Sequence, residues 1–453
     1  MRKRSIVAGA ALLVAGILAV SLAGCSALGS SSDDSTPSSV AVSNGTASSR
    51  EEFLASQETP STYERRLYEE AVADGYEGTF VEFLQEIGYT GQDATASVNS
   101  ALTSVVGIEC GFTETTMSGW RPTEATVYSA GAGVIYSLDK SEGDAYIITN
   151  YHVVYNKDSV GTETVKHVSD DIVVYLYGYN EVIEATYVGG AMDYDIAVLK
   201  VDNSDVLKES AATAITPADS DSITVGENVY AIGNPEGDGI SASSGVVSVT
   251  AEYIDILSSD ETKTLSLLEI RTDAAVNHGN SGGGLFNAQG ELVGIVNARS
   301  EESGVEAFGY AIPSNLALAV AQNVIDNADA KGAYRASLGL TVQTKSSESL
   351  YDETTGKTYI EEKVVVQAIT PGSVAEKMGL DINDTILSAK ITKSDGTTVQ
   401  EKAITRMHML TTMMFNVRAG DTLSITVSRD NEQQTFEYTF TEANSASEFT
   451  LFA

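Results

Sequence analysis

Over residues 96–328 the apolar positions fall in short runs rich in Val, Ile, Tyr and Thr, punctuated by Gly, Asn and Asp. Runs of that length and punctuation suit a closed or paired antiparallel β architecture. The pattern predicts strands at 126–137, 145–149, 172–177, 182–188, 197–201, 228–233 and 292–297. The apolar period then lengthens, predicting a helix over 315–325 capped by Ser314. Over residues 335–443, strands at 363–369, 422–428 and 435–439 mix with two predicted helices, 373–378 and 404–416. Upstream, residues 63–87 carry apolar positions at roughly helical spacing, broken at Asp74-Gly75 and Gly78-Thr79. They predict a small helical hairpin within 61–92, too short to be stable alone. Residues 25–60 are dominated by Ser, Ala, Thr, Asp and Glu, cannot bury enough surface to fold, and read as a flexible tether. No internal repeat is present.

Composition changes the picture in four respects. A chain of 453 residues holds about two or three folded units. Its formal charge of -36, from 27 Lys+Arg against 63 Asp+Glu, repels phosphate backbones and argues against a nucleic-acid partner; otherwise the acidity reads as solubility. Arg2, Lys3 and Arg4 precede an apolar run from Ile6 to Leu22, the pattern of a secretory signal over residues 1–24. The run ends in Leu22-Ala23-Gly24-Cys25, which resembles the bacterial lipobox. That resemblance implies a lipid on Cys25 and an extracytoplasmic protein anchored to the outer face of the cell membrane, a plain signal anchor being the alternative. Beyond Cys25 the only cysteine is Cys110, so the mature chain forms no intramolecular disulfide. In the apolar context of residues 105–110 the thiol is expected to be a small buried hydrophobe.

One candidate of each kind exists for hydroxyl-based catalysis. A serine is a poor nucleophile near neutral pH and needs a base within hydrogen-bond reach, which needs a carboxylate to fix its tautomer. Ser281 lies in Gly279-Asn280-Ser281-Gly282-Gly283, where glycines let backbone N–H groups face a carbonyl under attack. The amides of Gly279 and Ser281, with Asn280 adjoining, are candidates for an oxyanion hole. His152 lies at the end of the apolar run 147–154, and Asp195 directly precedes the run 196–199. His278 lies within the nucleophile loop itself and is expected at its rim; Asp193 competes with Asp195. His167 and His408 have no metal-ligand spacing around them.

These segments, with Val229-Tyr230-Ala231-Ile232-Gly233-Asn234-Pro235 and Phe308-Gly309-Tyr310-Ala311-Ile312-Pro313-Ser314-Asn315, resemble the HtrA branch of trypsin-like serine proteases, in the order His, Asp, Ser. The resemblance spans residues 98–327. It implies two six-stranded β-barrels with a His152, Asp195, Ser281 triad in the cleft between them, no cofactor or metal, and a homotrimer or larger homo-oligomer. The family usually carries Pro where this chain has Gly284, and often Pro or Arg at His278; Gly284 is expected to loosen the backbone beside the hole. At the specificity-pocket position this chain has Ala275, which predicts an uncharged pocket and cleavage after small or medium aliphatic residues.

Residues 335–443 resemble a single PDZ domain through Leu338-Gly339-Leu340-Thr341, the stretch 364–380 and Arg418-Ala419-Gly420-Asp421. The resemblance implies that amides at Leu338, Gly339 and Leu340 take a peptide C-terminal carboxylate while the peptide adds as a strand. Met407, Met409, Met413 and Met414 suggest either a promiscuous groove or core, and residues 345–362 form an insertion of open role. The two folded units are expected to be joined only through residues 326–337. The fold is thus expected to be mainly β, a chymotrypsin-like double β-barrel followed by an α+β PDZ domain. The function is expected to be that of a serine endopeptidase cutting unfolded or damaged extracytoplasmic polypeptides through an acyl-enzyme. A non-catalytic chaperone or scaffold lipoprotein is the alternative.

Overall fold

In the first barrel, side chains alternate about the strand direction as a period of two requires: Val106, Ile108, Cys110 and Phe112 of one strand are all buried. Six strands, β1 (Val105–Ser118), β2 (Arg121–Asp139), β3 (Asp144–Thr149), β4 (Asp171–Leu176), β5 (Val182–Ala191) and β6 (Ile196–Val201), close in the order β1-β2-β3-β6-β5-β4. A single helical turn, α1 (Tyr151–Val154), leaves β3. Cys110 is 0% exposed; burial, with the charges of Asp171 and Glu109, pushes its thiol up to about 12. The computed structural model describes residues 94–118, 121–160, 165–179, 181–297, 308–354, 356–441 and 448–453. The signal segment, Cys25, the tether and the predicted hairpin of 61–92 lie outside the described residues. No helix among the described residues is long and apolar enough to cross a membrane.

The second barrel is built from β7 (Asn228–Gly233), β8 (Ser241–Leu257), β9 (Thr264–Thr272), β10 (Gly284–Asn287), β11 (Leu292–Val296) and β12 (Gly309–Pro313), closed as β10-β11-β12-β9-β8-β7. Closure leaves no open sheet edge in either barrel. The helix α2 (Ser314–Asp326) buries Leu316, Ala317, Val320, Ala321 and Val324, the stripe expected of period 3.6. Ser314 does not cap it: Pro313 occupies the cap position, and the Ser314 hydroxyl donates instead to Ala218 O at 2.9 Å.

The third body contains β13 (Ala333–Ala336), β14 (Leu340–Asp352), β15 (Lys357–Ile369), α3 (Val374–Met378), β16 (Thr385–Thr392), β17 (Thr398–Ala403), α4 (Met407–Met413), β18 (Thr422–Arg429), β19 (Glu432–Thr439) and β20 (Phe449–Phe452). Its main sheet runs β14-β15-β16-β18-β19, and β13 pairs with β20, so the last residues of the chain return to the start of this body. Residues 345–362 belong to the long β14/β15 hairpin. The helix predicted over 404–416 begins later than expected, because residues 404–405 stay extended: Ile404 N donates to Leu387 O at 2.9 Å and Glu362 N to Thr405 O at 2.8 Å. Glu362 then accepts from Met407 N at 2.9 Å, satisfying a first-turn amide. Met409, Met413 and Met414 are buried core.

The expectation of a connection through residues 326–337 alone is overturned. From Ser97 onward the chain forms one compact unit. Asn323 on α2 donates to Tyr334 O at 2.7 Å and Phe415 O at 2.8 Å. The ring of Tyr194 meets Phe415 and Phe452 edge to face at 4.9 and 5.1 Å, and its hydroxyl accepts from Arg335. Lys402 reaches Asp221 at 2.6 Å, His408 lies 3.4 Å from the same carboxylate, and Arg406 donates to Ala251 O at 3.1 Å. Burial alone would raise the Asp221 carboxyl; bonds to His408 and Lys402, with their charges, hold it down at about 2.

Candidate active site

The three candidate residues follow the ends of β3, β5 and β9 in the chain. His152 rides on α1 at the end of β3, its side chain 16% exposed. Asp195 is 1% exposed and sits between β5 and β6 at φ +50°, a left-handed conformation that Asp tolerates better than most residues. The two meet twice: His152 N donates to Asp195 Oδ1 at 3.0 Å, and His152 Nδ1 lies 2.7 Å from Asp195 Oδ2. Asp195's backbone carbonyl accepts from Asn150 Nδ2 at 3.0 Å and Tyr151 N at 3.1 Å. Asp193 points elsewhere, into an ion pair with Lys263.

Ser281 is supplied by the second barrel, in the loop before β10, and is 5% exposed. Its carbonyl accepts from Ala132 N at 2.8 Å, and Gly282 N donates to Val296 O at 3.0 Å, so the loop is held by strands of both barrels. Gly282 has φ +84°, and a Cβ there would sit 2.1 Å from Ala132 O and 2.2 Å from Thr149 Oγ1. Only glycine fits that approach. Gly279 has φ +91°. The Asn280 amide donates to Asn277 O at 3.0 Å. Ala275 is exposed, with its carbonyl accepting from Ser243 Oγ at 2.7 Å, and His278 is exposed at the rim.

Gly284 departs from the expected loosening. It lies inside β10, paired with Ile232 and Ile295, and does not adopt positive φ. A Cβ there would meet Phe286 Cε2 at 2.2 Å, so the Phe286 ring fills the space that a larger residue would take.

His152 also borders a cavity of about 340 Å³ lined by Phe112, Val127, Tyr155 and Asn156. His167 is instead bonded to Ser159 O at 2.7 Å and packs edge-on against Tyr155. In the third body, Leu338 O and Gly339 O accept from Ala375 N and Thr370 N, each at 2.8 Å, and Gly339 takes φ +65°. Leu340 opens β14, an edge strand of the main sheet. Residues that sequence reasoning missed are Thr149 and Asn150, which brace the cleft from the first barrel; the available signal was their position just before His152.

Residues 131–295 match the family model of a trypsin-like peptidase domain, and residues 336–439 that of a PDZ domain. A serine protease Do-like HtrA of Lactococcus lactis subsp. cremoris is 33% identical over 327 residues, covering 70% of this chain and 72% of its own. The periplasmic serine endoprotease DegP of Escherichia coli is 30% identical over 304 residues, 67% of this chain and 55% of that protein. Among solved structures, an HtrA-type protease AlgW with decapeptide is 26% identical with a TM-score of 0.46, covering 80% of this chain and 99% of the other.

Proposed function

The chain belongs to the HtrA family of serine endopeptidases, a trypsin-like peptidase domain followed by one PDZ domain, and from that premise we propose that Ser281, His152 and Asp195 hydrolyse unfolded or damaged polypeptides outside the cytoplasm. The observation that carries this reading is the double hold of Asp195 on His152, through the backbone amide and through Nδ1 at 2.7 Å. A carboxylate on Nδ1 keeps the proton there and leaves Nε2 as the base. Ser281 Oγ then attacks the scissile carbonyl as its proton passes to Nε2, and Asp195 offsets the imidazolium charge. The Gly279 and Ser281 amides receive the oxyanion, while the Asn280 amide is committed to Asn277 O. His152 returns the proton to the leaving amine, and water repeats the sequence on the acyl-enzyme.

The uncharged Ala275 favours small or medium aliphatic side chains before the cut. In the PDZ domain a peptide C-terminus adds as a strand to the edge of β14, its carboxylate at Leu338, Gly339 and Leu340, with α4 as the far wall. Cys25 carries the membrane anchor, and the working form is a homotrimer or larger. Casein hydrolysis tests the central claim: Ser281→Ala should abolish it with the fold intact. Activity of that variant within about tenfold of wild type would remove Ser281 from the chemistry, and wild-type enzyme that binds casein without cutting it would favour a holdase.

A further inference from the structure

Glu269 is a charged residue type at an address where charge is costly. It lies on β9, is 0% exposed, and forms no ion pair among the described residues. Its Oε1 accepts from Asn297 Nδ2 at 2.9 Å, whereas Oε2 is buried with no hydrogen-bond partner among the described residues. The nearby charges are mostly of its own sign. Asp195 approaches from the turn between β5 and β6, and Glu252 stands opposite it in the β8/β9 register. Arg271, two residues along β9, is drawn to Glu252 at 3.2 Å.

Asn297 follows β11 directly, and β11 braces the nucleophile. Val296 O accepts from Gly282 N at 3.0 Å and Val296 N donates to Gly283 O at 2.8 Å, on the two residues after Ser281. Asn297 N itself donates to Tyr310 O at 2.8 Å. Glu269 is therefore linked, through Asn297, to the strand that supports the hydroxyl end of the triad, and the charge of Asp195 reaches its carboxyl.

We propose that Glu269 is a positioning residue for the hydrolytic reaction, a buried carboxyl that holds Asn297 and, through the end of β11, the backbone behind Ser281. It does so as the uncharged acid. Burial drives its carboxyl well above the ordinary range, the Asn297 bond opposes this in part, and the negative charges of Asp195 and Glu252 add to it. An ionised Glu269 would add a second negative charge within reach of Asp195 in a buried site, where an unpaired carboxylate is strongly disfavoured. Kept neutral, it accepts from Asn297 and leaves Asp195 as the single anion facing His152.

The inference rests on the triad reading, and its test has one arm that needs no turnover. In the full enzyme acting on a short peptide, Glu269→Gln retains the acceptor without the acid and should keep kcat within about threefold; Glu269→Ala should lower kcat about tenfold or more with KM changed far less. Wild-type kcat in Glu269→Ala, or a Glu269→Gln variant as impaired as the alanine, would overturn the proposal. The second arm follows thermal unfolding against pH in a Ser281→Ala background. An acid whose folded pKa is raised loses stability as pH climbs above the unfolded value of 4.5. Glu269→Gln should thus gain on its parent progressively from there to pH 8. A gap that stays constant or narrows would show an ionised Glu269 in the folded enzyme and sink the idea, whatever the fate of the triad assignment.

Discussion

At the scale of single residues, the decisive geometry is a carboxylate that does two jobs from one strained backbone position. Asp195 orients the His152 ring with Oδ2 and pins its backbone with Oδ1, at 2.7 and 3.0 Å. Asp195→Asn preserves the shape but presents either an amide donor to Nδ1 or a weaker acceptor, favouring the wrong imidazole tautomer. Steady-state kinetics with a short peptide should show kcat reduced about 10⁴-fold with KM nearly unchanged. His152, Asp195 and Ser281 stood out in the sequence because each sits beside an apolar run or a glycine string of distinctive make-up. Glu269 did not. In Leu267-Leu268-Glu269-Ile270 it reads as a polar residue interrupting an apolar strand, a position usually turned to water. Only closure of the second barrel and the approach of Asn297 seal it off. Asn150 could be marked only by its position just before His152, since its partner Asp195 is 45 residues away.

Among the elements, the strands were easiest to read and the helix next to the peptide edge hardest. Residues 228–233 were anticipated as found, and 145–149 missed only Asp144. The run predicted at 126–137 extends to Arg121–Asp139, because residues 121–125 pair with β1 and residues 138–139 with β3 rather than follow a local pattern. The helix predicted over 404–416 failed at its start for the same kind of reason. Its first turn is set by Glu362, 45 residues upstream, which accepts from Met407 N and pairs with Arg406 Nε at 3.2 Å. The β14/β15 hairpin thus fixes where α4 begins. Glu362→Ala removes an anionic cap and an ion pair together, and should cost about 1–2 kcal/mol of stability. Because α4 packs beside β14, the same variant should bind C-terminal peptides more weakly, measurable by calorimetric titration. Unchanged affinity and unchanged stability would show that the cap is idle.

For the molecule as a whole, the docking of the PDZ domain on the barrels was not legible, since it depends on side chains scattered over three bodies. Tyr194, directly before Asp195, is gripped by Phe415, Phe452 and Arg335, and Asp221 is held by Lys402 and His408. With its carboxyl lowered to about 2 from an ordinary 3.8, Asp221 contributes stability present above pH 3.8 and lost as pH falls through 2. The Asp221 carboxyl therefore stays ionised across the physiological range. Asp221→Asn takes the anion from the buried His408 and leaves Lys402 only Asp219, at 3.0 Å, and should cost about 2–4 kcal/mol. Urea unfolding should then separate into two transitions where the parent shows one. The buried thiol of Cys110 gives such an experiment an optical handle. In a Cys25→Ser form it is the only sulfhydryl, shut inside the first barrel and kept from ionising. A thiol-specific dye added during unfolding would stay dark until β1 opens, timing the breach of that barrel separately from the departure of its neighbour.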